Sequence, residues 1–193
     1  MPGANHITSP TPYASSVDFD RIFNEEKDSL HRLSFLLTAD HEKAERCFVS
    51  GLEDSVKGNP VFKEWARSWA RRTIIQSAVR VINPRPMEEH NGVTFNGNPR
   101  SEAIEQGEIR AVLGLAPFER FVFVMLVLEH YSEYECSLLL GCSRRDVIAA
   151  RNRALQQLRS AAEFHVNQQV RLFSEKLGSH ENSGSALEDL LHV

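Results

Sequence analysis

The chain has little cysteine. Its three cysteines, Cys47, Cys136 and Cys142, include no C-x-x-C pair. That spacing argues against a disulfide framework or a thiolate metal site and for buried, reduced thiols. Long apolar runs are also lacking. The longest, FVFVMLVL at 121–128, is well short of the roughly 20 residues that span a bilayer and fits a buried helix. The opening stretch MPGANHITSPTPYASS has no basic head and no apolar core, so no signal peptide is expected. A cytoplasmic location and no membrane partner follow as expectations. The eight histidines show no H-x-x-x-H or H-E-x-x-H spacing, so neither a metal nor another cofactor is expected. There is no Gly-rich phosphate loop and no G-x-S-x-G, which leaves an enzymatic role without support.

What is present reads as an ordinary soluble globular composition, 41% hydrophobic and 25% charged, sized for one domain or two small ones. The net charge of −4 conceals two basic segments. Residues 59–87 carry Lys63, Arg67, Arg71, Arg72, Arg80 and Arg85 against Glu64. Residues 144–161 carry Arg144, Arg145, Arg151, Arg153 and Arg159 against Asp146. Two such segments on an acidic chain suit either two contacts with a polyanion or two solvated helix faces.

Residues 1–16 are rich in Pro, Ser, Thr and Ala and are expected to be disordered. From Val17 the pattern is helical. Phe19, Ile22, Phe23, Leu30, Leu33 and Leu37 recur at three- and four-residue spacing. TAD, 38–40, ends this helix and starts a second, whose buried stripe is Ala44, Cys47, Phe48 and Leu52. KGNP, 57–60, has turn chemistry, with Asn59 as N-cap and Pro60 opening a third helix that runs to about Ile82. Residues 83–100 hold three prolines, two glycines and four asparagines and read as a linker. Helical pattern resumes at Ser101, LAP at 115–117 separates two further helices, and a last helix runs past Leu158. The expected fold is all-α: two small helical domains, 17–82 and 108–160, joined by a flexible linker at 83–107 and followed by a helical extension and tail at 161–193.

The stretch YSEYECSLLLGCSRRDVIAARNRALQQL, 131–158, carries the most chemistry. Ser132 and Glu135 make an S-x-x-E capping box. Gly141 ends the short helix, because a left-handed C-cap costs Gly least. Ser143 and Asp146 repeat the box two residues later. Ser137, four before the glycine, allows close helix approach, and Val147, six after it, packs back into the crossing. This is helix-turn-helix spacing. The second helix presents Ser143, Arg144, Arg145, Ile148, Arg151, Asn152 and Arg153 at its N-terminal end, where major-groove contacts are made.

Residues 108–160 resemble domain 4 of the extracytoplasmic-function (ECF) sigma factors of bacterial RNA polymerase. That domain begins Leu-Pro-x-x-x-Arg with an aliphatic run. Here LAPFER supplies Leu115 and Arg120, and FVFVMLVLEHYS supplies the run. The family's Leu-Gly, Ser-led turn, Val and Arg-Ala fall on Leu140–Gly141, Ser143, Val147 and Arg153–Ala154. Residues 18–82 resemble domain 2 of the same family, through Ala44–Glu45 and through Trp65 and Ala70 in EWARSWARR. The sequence departs from the family at Arg46, Val49 and Arg72, where the family has Asp, Gln and Asn, and at Ala150–Arg151, where it has Arg-Leu.

The resemblance implies a transcription initiation factor that directs core RNA polymerase to promoter DNA. Domain 4 would read the −35 element. Domain 2 would act at the −10 element, with Trp65, Trp69, Arg71, Arg72 and Lys57 near melted DNA and Glu45, Arg46 and Val49 against core polymerase; simple core packing is the other reading of both tryptophans. An anti-sigma factor is the further partner implied. Two other readings stay open: a sigma mimic that acts by protein–protein contact, and a helix-turn-helix regulator independent of polymerase.

Overall fold

The computed structural model of the protein describes residues 11–86 and 105–181. The fold is all-α, as the periodicity predicts. In order the helices are α1 Ser16–Glu25, α2 Lys27–Thr38, α3 His41–Lys57, α4 Ala66–Ile82, α5 Glu105–Leu113, α6 Pro117–Phe123, α7 Glu133–Leu140 and α8 Arg144–Glu181. A 3-10 turn at Lys63–Trp65 leads into α4, and a π-helical turn at Val124–Leu128 extends α6. No helix among the described residues is long and apolar enough to cross a membrane.

Three boundaries differ from the sequence reading. The expected first helix is two, because Glu26 leaves helical geometry at φ −104° and ψ 17°. Its carboxylate there receives Arg67 and Arg71 from α4, so a tertiary ion-pair cluster accompanies the break. Residues 11–16, expected to be disordered, are ordered. Ala14 N–H donates to Val61 O at 2.7 Å, Lys63 N–H donates to Pro12 O at 3.0 Å, and Tyr13 stacks on Phe62. The same pairing holds Phe62 extended, so Pro60 does not open α4, which starts at Ala66. The expected linker and tail fall mostly on 87–104 and 182–193, outside the described residues.

Caps set the other ends. Ser15 and Asp18 form a reciprocal capping box on α1, and Asp40 caps α3 through Lys43 N–H at 2.9 Å. Left-handed residues Ala39 and Asn83 terminate α2 and α4. α3 and α4 cross closely at Gly51, where an added Cβ would sit 2.6 Å from Ile74 Cγ1. Alongside, the buried hydroxyls of Ser55 and Thr73 bond at 2.9 Å, so polar groups inside this crossing satisfy each other.

Residues 17–82 and 108–160 share one buried apolar cluster, from Phe19, Leu30 and Ile74 to Phe118, Phe121 and Val147. Arg120 pins the two halves together. It is buried, and no carboxylate among the described residues meets its guanidinium. Nε donates to Leu37 O at 3.3 Å, and Nη1 donates to Leu113 O and Leu115 O at 3.2 and 3.1 Å. Leu37 and Leu113 lie in the last turns of α2 and α5, whose partial negative ends compensate a buried cation.

Candidate nucleic-acid interface

The helical hairpin forms as its caps dictate. In α7, Ser132 Oγ accepts from Glu135 N–H at 3.2 Å, and Glu135 accepts from Ser132 N–H at 2.9 Å. Gly141 adopts φ 62° and ψ 39°, and its N–H bonds to Ser137 O. Ser143 and Asp146 close the second box at 3.0 and 3.2 Å. Hydrogen bonds from the serine hydroxyl and amide hold the Glu135 and Asp146 carboxyls below the usual carboxylate range. Val147, Ala150 and Ala154 are the buried face of α8. The opposite face of its first turns therefore points to solvent.

On that face Ser143, Arg144, Arg145, Ile148 and Asn152 are exposed. Arg145 and Asn152 have no side-chain hydrogen bond among the described residues. The other arginines are engaged. Glu133, at the start of α7, bonds Arg151 Nη1 at 3.0 Å and lies 3.9 Å from Arg144 Nη2. Arg153 Nε donates at 2.9 Å to Glu119, a buried carboxylate whose other oxygen has no partner. Sequence reasoning grouped these four arginines, yet Arg153, itself exposed, is tied through Nε to Glu119, which is buried beneath it on α6. The clue was an acidic residue inside the apolar stripe just before Arg120.

The residues expected at melted DNA separate likewise. Lys57 is exposed at the end of α3 and pairs with Glu53 at 3.0 Å. Arg71 is engaged through both terminal nitrogens: Nη1 reaches both Glu129 oxygens at 3.1 and 3.0 Å, and Nη2 reaches Glu26 at 3.2 Å and Ser29 at 2.9 Å. Arg72 is half-buried. It lines an open groove of about 790 Å³ between the halves, together with Trp65, Trp69, Arg71, Glu129 and Tyr131. Trp65 is 57% exposed, so core packing does not account for it. The indole N–H of Trp69 is buried without a partner among the described residues. Burial pushes the Tyr131 phenol up to about 12, with Arg72 opposing, so it is a neutral donor at physiological pH.

Glu45, Arg46 and Val49 are all exposed on α3. Val49 is 47% accessible, and Glu45 lies 3.8 Å from His31. At i, i+1 and i+4 they share one face of the helix. The thiols of Cys47 and Cys136 are buried and that of Cys142 half-buried, all free, and burial raises Cys136 to about 12. No cluster of three or more metal-ligating side chains occurs among the described residues.

No protein-family model and no curated protein matches this chain. Among solved structures, it is similar to the sigma factor RpoE of Bartonella quintana, solved in complex with the anti-sigma factor NepR. The identity is 17%, the TM-score is 0.45, and the match covers 76% of this chain and 97% of that one.

Proposed function

We propose that the chain is a DNA-binding transcription initiation factor of the ECF sigma type, which directs core RNA polymerase to promoters. The observation that carries this reading is the exposed N-terminal end of α8. Arg144, Arg145, Ile148 and Asn152 are exposed there, behind a tight left-handed glycine turn, with Arg144 3.9 Å from Glu133. Two cations beside the positive end of a helix attract phosphate. An arginine and an asparagine about two turns apart can reach base edges in the major groove, guanine for the one and adenine for the other. These residues are assigned to the −35 element. Arg72, Trp65 and Trp69 are assigned to the melted −10 strand, where aromatic faces stack on bases and a cation follows the backbone. The α3 face of Glu45, Arg46 and Val49 is assigned to core polymerase. It differs in charge from the family's usual acidic contact.

The test is a pull-down of tagged protein with purified core RNA polymerase, with and without promoter-containing DNA. Stable binding and promoter-dependent initiation are expected. If polymerase is not bound while DNA binding persists with a steep salt dependence, the protein is a polymerase-independent regulator. If neither is bound, it acts by protein contact alone, and an anti-sigma factor is the partner to seek.

A further inference from the structure

Arg71 belongs to the segment assigned to melted DNA, yet both of its terminal nitrogens already meet acceptors of this chain. All four of its hydrogen bonds end on this chain, two of them on Glu129. Glu135, also from the second half, lines the same groove as Arg72. Carboxylates from the second half thus stand where the phosphates of a polyanion would.

Glu129 sits on a strained segment. The turn before it is π-helical, with Glu129 N–H bonding back five residues to Val124 O at 3.0 Å. His130, a non-glycine residue, is left-handed at φ 57°. Tyr131 N–H then bonds Met125 O at 2.9 Å. π-Turns and left-handed side-chain-bearing residues cost free energy and persist only where surrounding contacts hold them. If the π-turn gave up its extra residue and became α-helical, everything after it would rotate by about 100°. That rotation would carry Glu129 off Arg71. A switch of this kind requires two discrete arrangements of the segment, the π-helical one of this structure and an α-helical alternative.

We propose that the Arg71–Glu129 pair is an autoinhibitory latch, in which Glu129 on the π-turn occupies the cation that melted DNA would take. This inference rests on the DNA-binding reading above. Binding of a polyanion and separation of the halves are then coupled, because phosphate and Glu129 compete for one guanidinium.

The test uses the full chain and a labelled DNA duplex with a central unpaired bubble. Glu129→Gln removes the competing charge. Glu64→Gln, an exposed carboxylate without a described partner, removes the same charge beside the groove and serves as control. Helix content by circular dichroism establishes that both variants are folded, and Glu129→Asp, which keeps the charge on a shorter arm, gives an intermediate point. Opening is read from the two tryptophans, both of which line the groove, and from the radius of gyration. The expected result is a red-shifted emission, a larger radius and at least about threefold tighter bubble binding for Glu129→Gln than for Glu64→Gln. Wild-type binding that Glu129→Gln does not tighten beyond the control overturns the latch alone. No salt-dependent binding by any variant overturns the DNA-binding reading and the latch together.

Discussion

At the scale of the residue, the arginines divide by what lies under them rather than by position in sequence. Arg145 is exposed and free of side-chain hydrogen bonds among the described residues, whereas Arg153 neutralises buried Glu119. Arg145→Ala is therefore expected to leave stability unchanged, weaken DNA binding and lower the log–log salt slope by about one, as loss of one phosphate contact requires. Arg153→Ala should instead destabilise by roughly 1–3 kcal/mol in chemical denaturation, because Glu119 keeps a buried charge without its partner. A salt slope that falls equally in both variants would contradict the division. Arg120→Met is expected to cost more, roughly 3 kcal/mol, since buried carbonyls in both halves lose their donor. The sequence marks Arg145 and Arg153 as members of one basic segment and Arg120 as the end of LAPFER, beside the apolar run. Which of them meets a buried carboxylate or carbonyl depends on helices brought together from distant parts of the chain, so local pattern does not distinguish them.

At the scale of the element, helix ends follow from short-range chemistry and were legible in advance. The boxes Ser132–Glu135 and Ser143–Asp146 form as their spacing requires, and Gly141 takes the left-handed turn. Three capping carboxylates, Asp18, Glu135 and Asp146, are held low by serine hydrogen bonds. A depressed carboxylate contributes stability that is fully present above its ordinary value and lost as pH falls through the lowered one. Helical circular dichroism should thus decline as pH drops below about 4, and replacing Ser15, Ser132 and Ser143 with Ala should flatten that acid limb. At Gly141 no atom lies within 4 Å of an added Cβ, so the cost of Gly141→Ala is conformational alone. About 1 kcal/mol is expected, measurable as a shift in denaturation midpoint with an unchanged slope. The break at Glu26 and the late start of α4 were not legible. One coincides with an ion-pair cluster reached across α4, the other with backbone pairing to residues some fifty positions earlier in the chain.

At the scale of the whole molecule, the halves flanking the proline- and glycine-rich stretch share one apolar cluster and are joined through Arg120 and Arg71. One cooperative thermal transition is expected, common to far-ultraviolet circular dichroism and tryptophan emission. Two transitions, with the tryptophans reporting the first, would show the halves melting independently. Moderate salt should lower the midpoint, because the partly buried Arg71–Glu129 pair is screened to the extent that it meets solvent.

Apolar periodicity, serine–acid spacing and one glycine were enough, by themselves, to determine the all-α class, the capped hairpin of α7 and α8 and the face on which Arg144, Arg145, Ile148 and Asn152 stand. Each depends on residues within a few positions of one another, where backbone geometry fixes who meets whom. Tertiary structure alone decided that Arg71, Arg120 and Arg153 serve the fold, that Glu129 closes on the candidate DNA-contacting segment, and that a groove lies between the halves. Those outcomes depend on pairs far apart in sequence, many brought together by burial of the shared core, which no local pattern encodes.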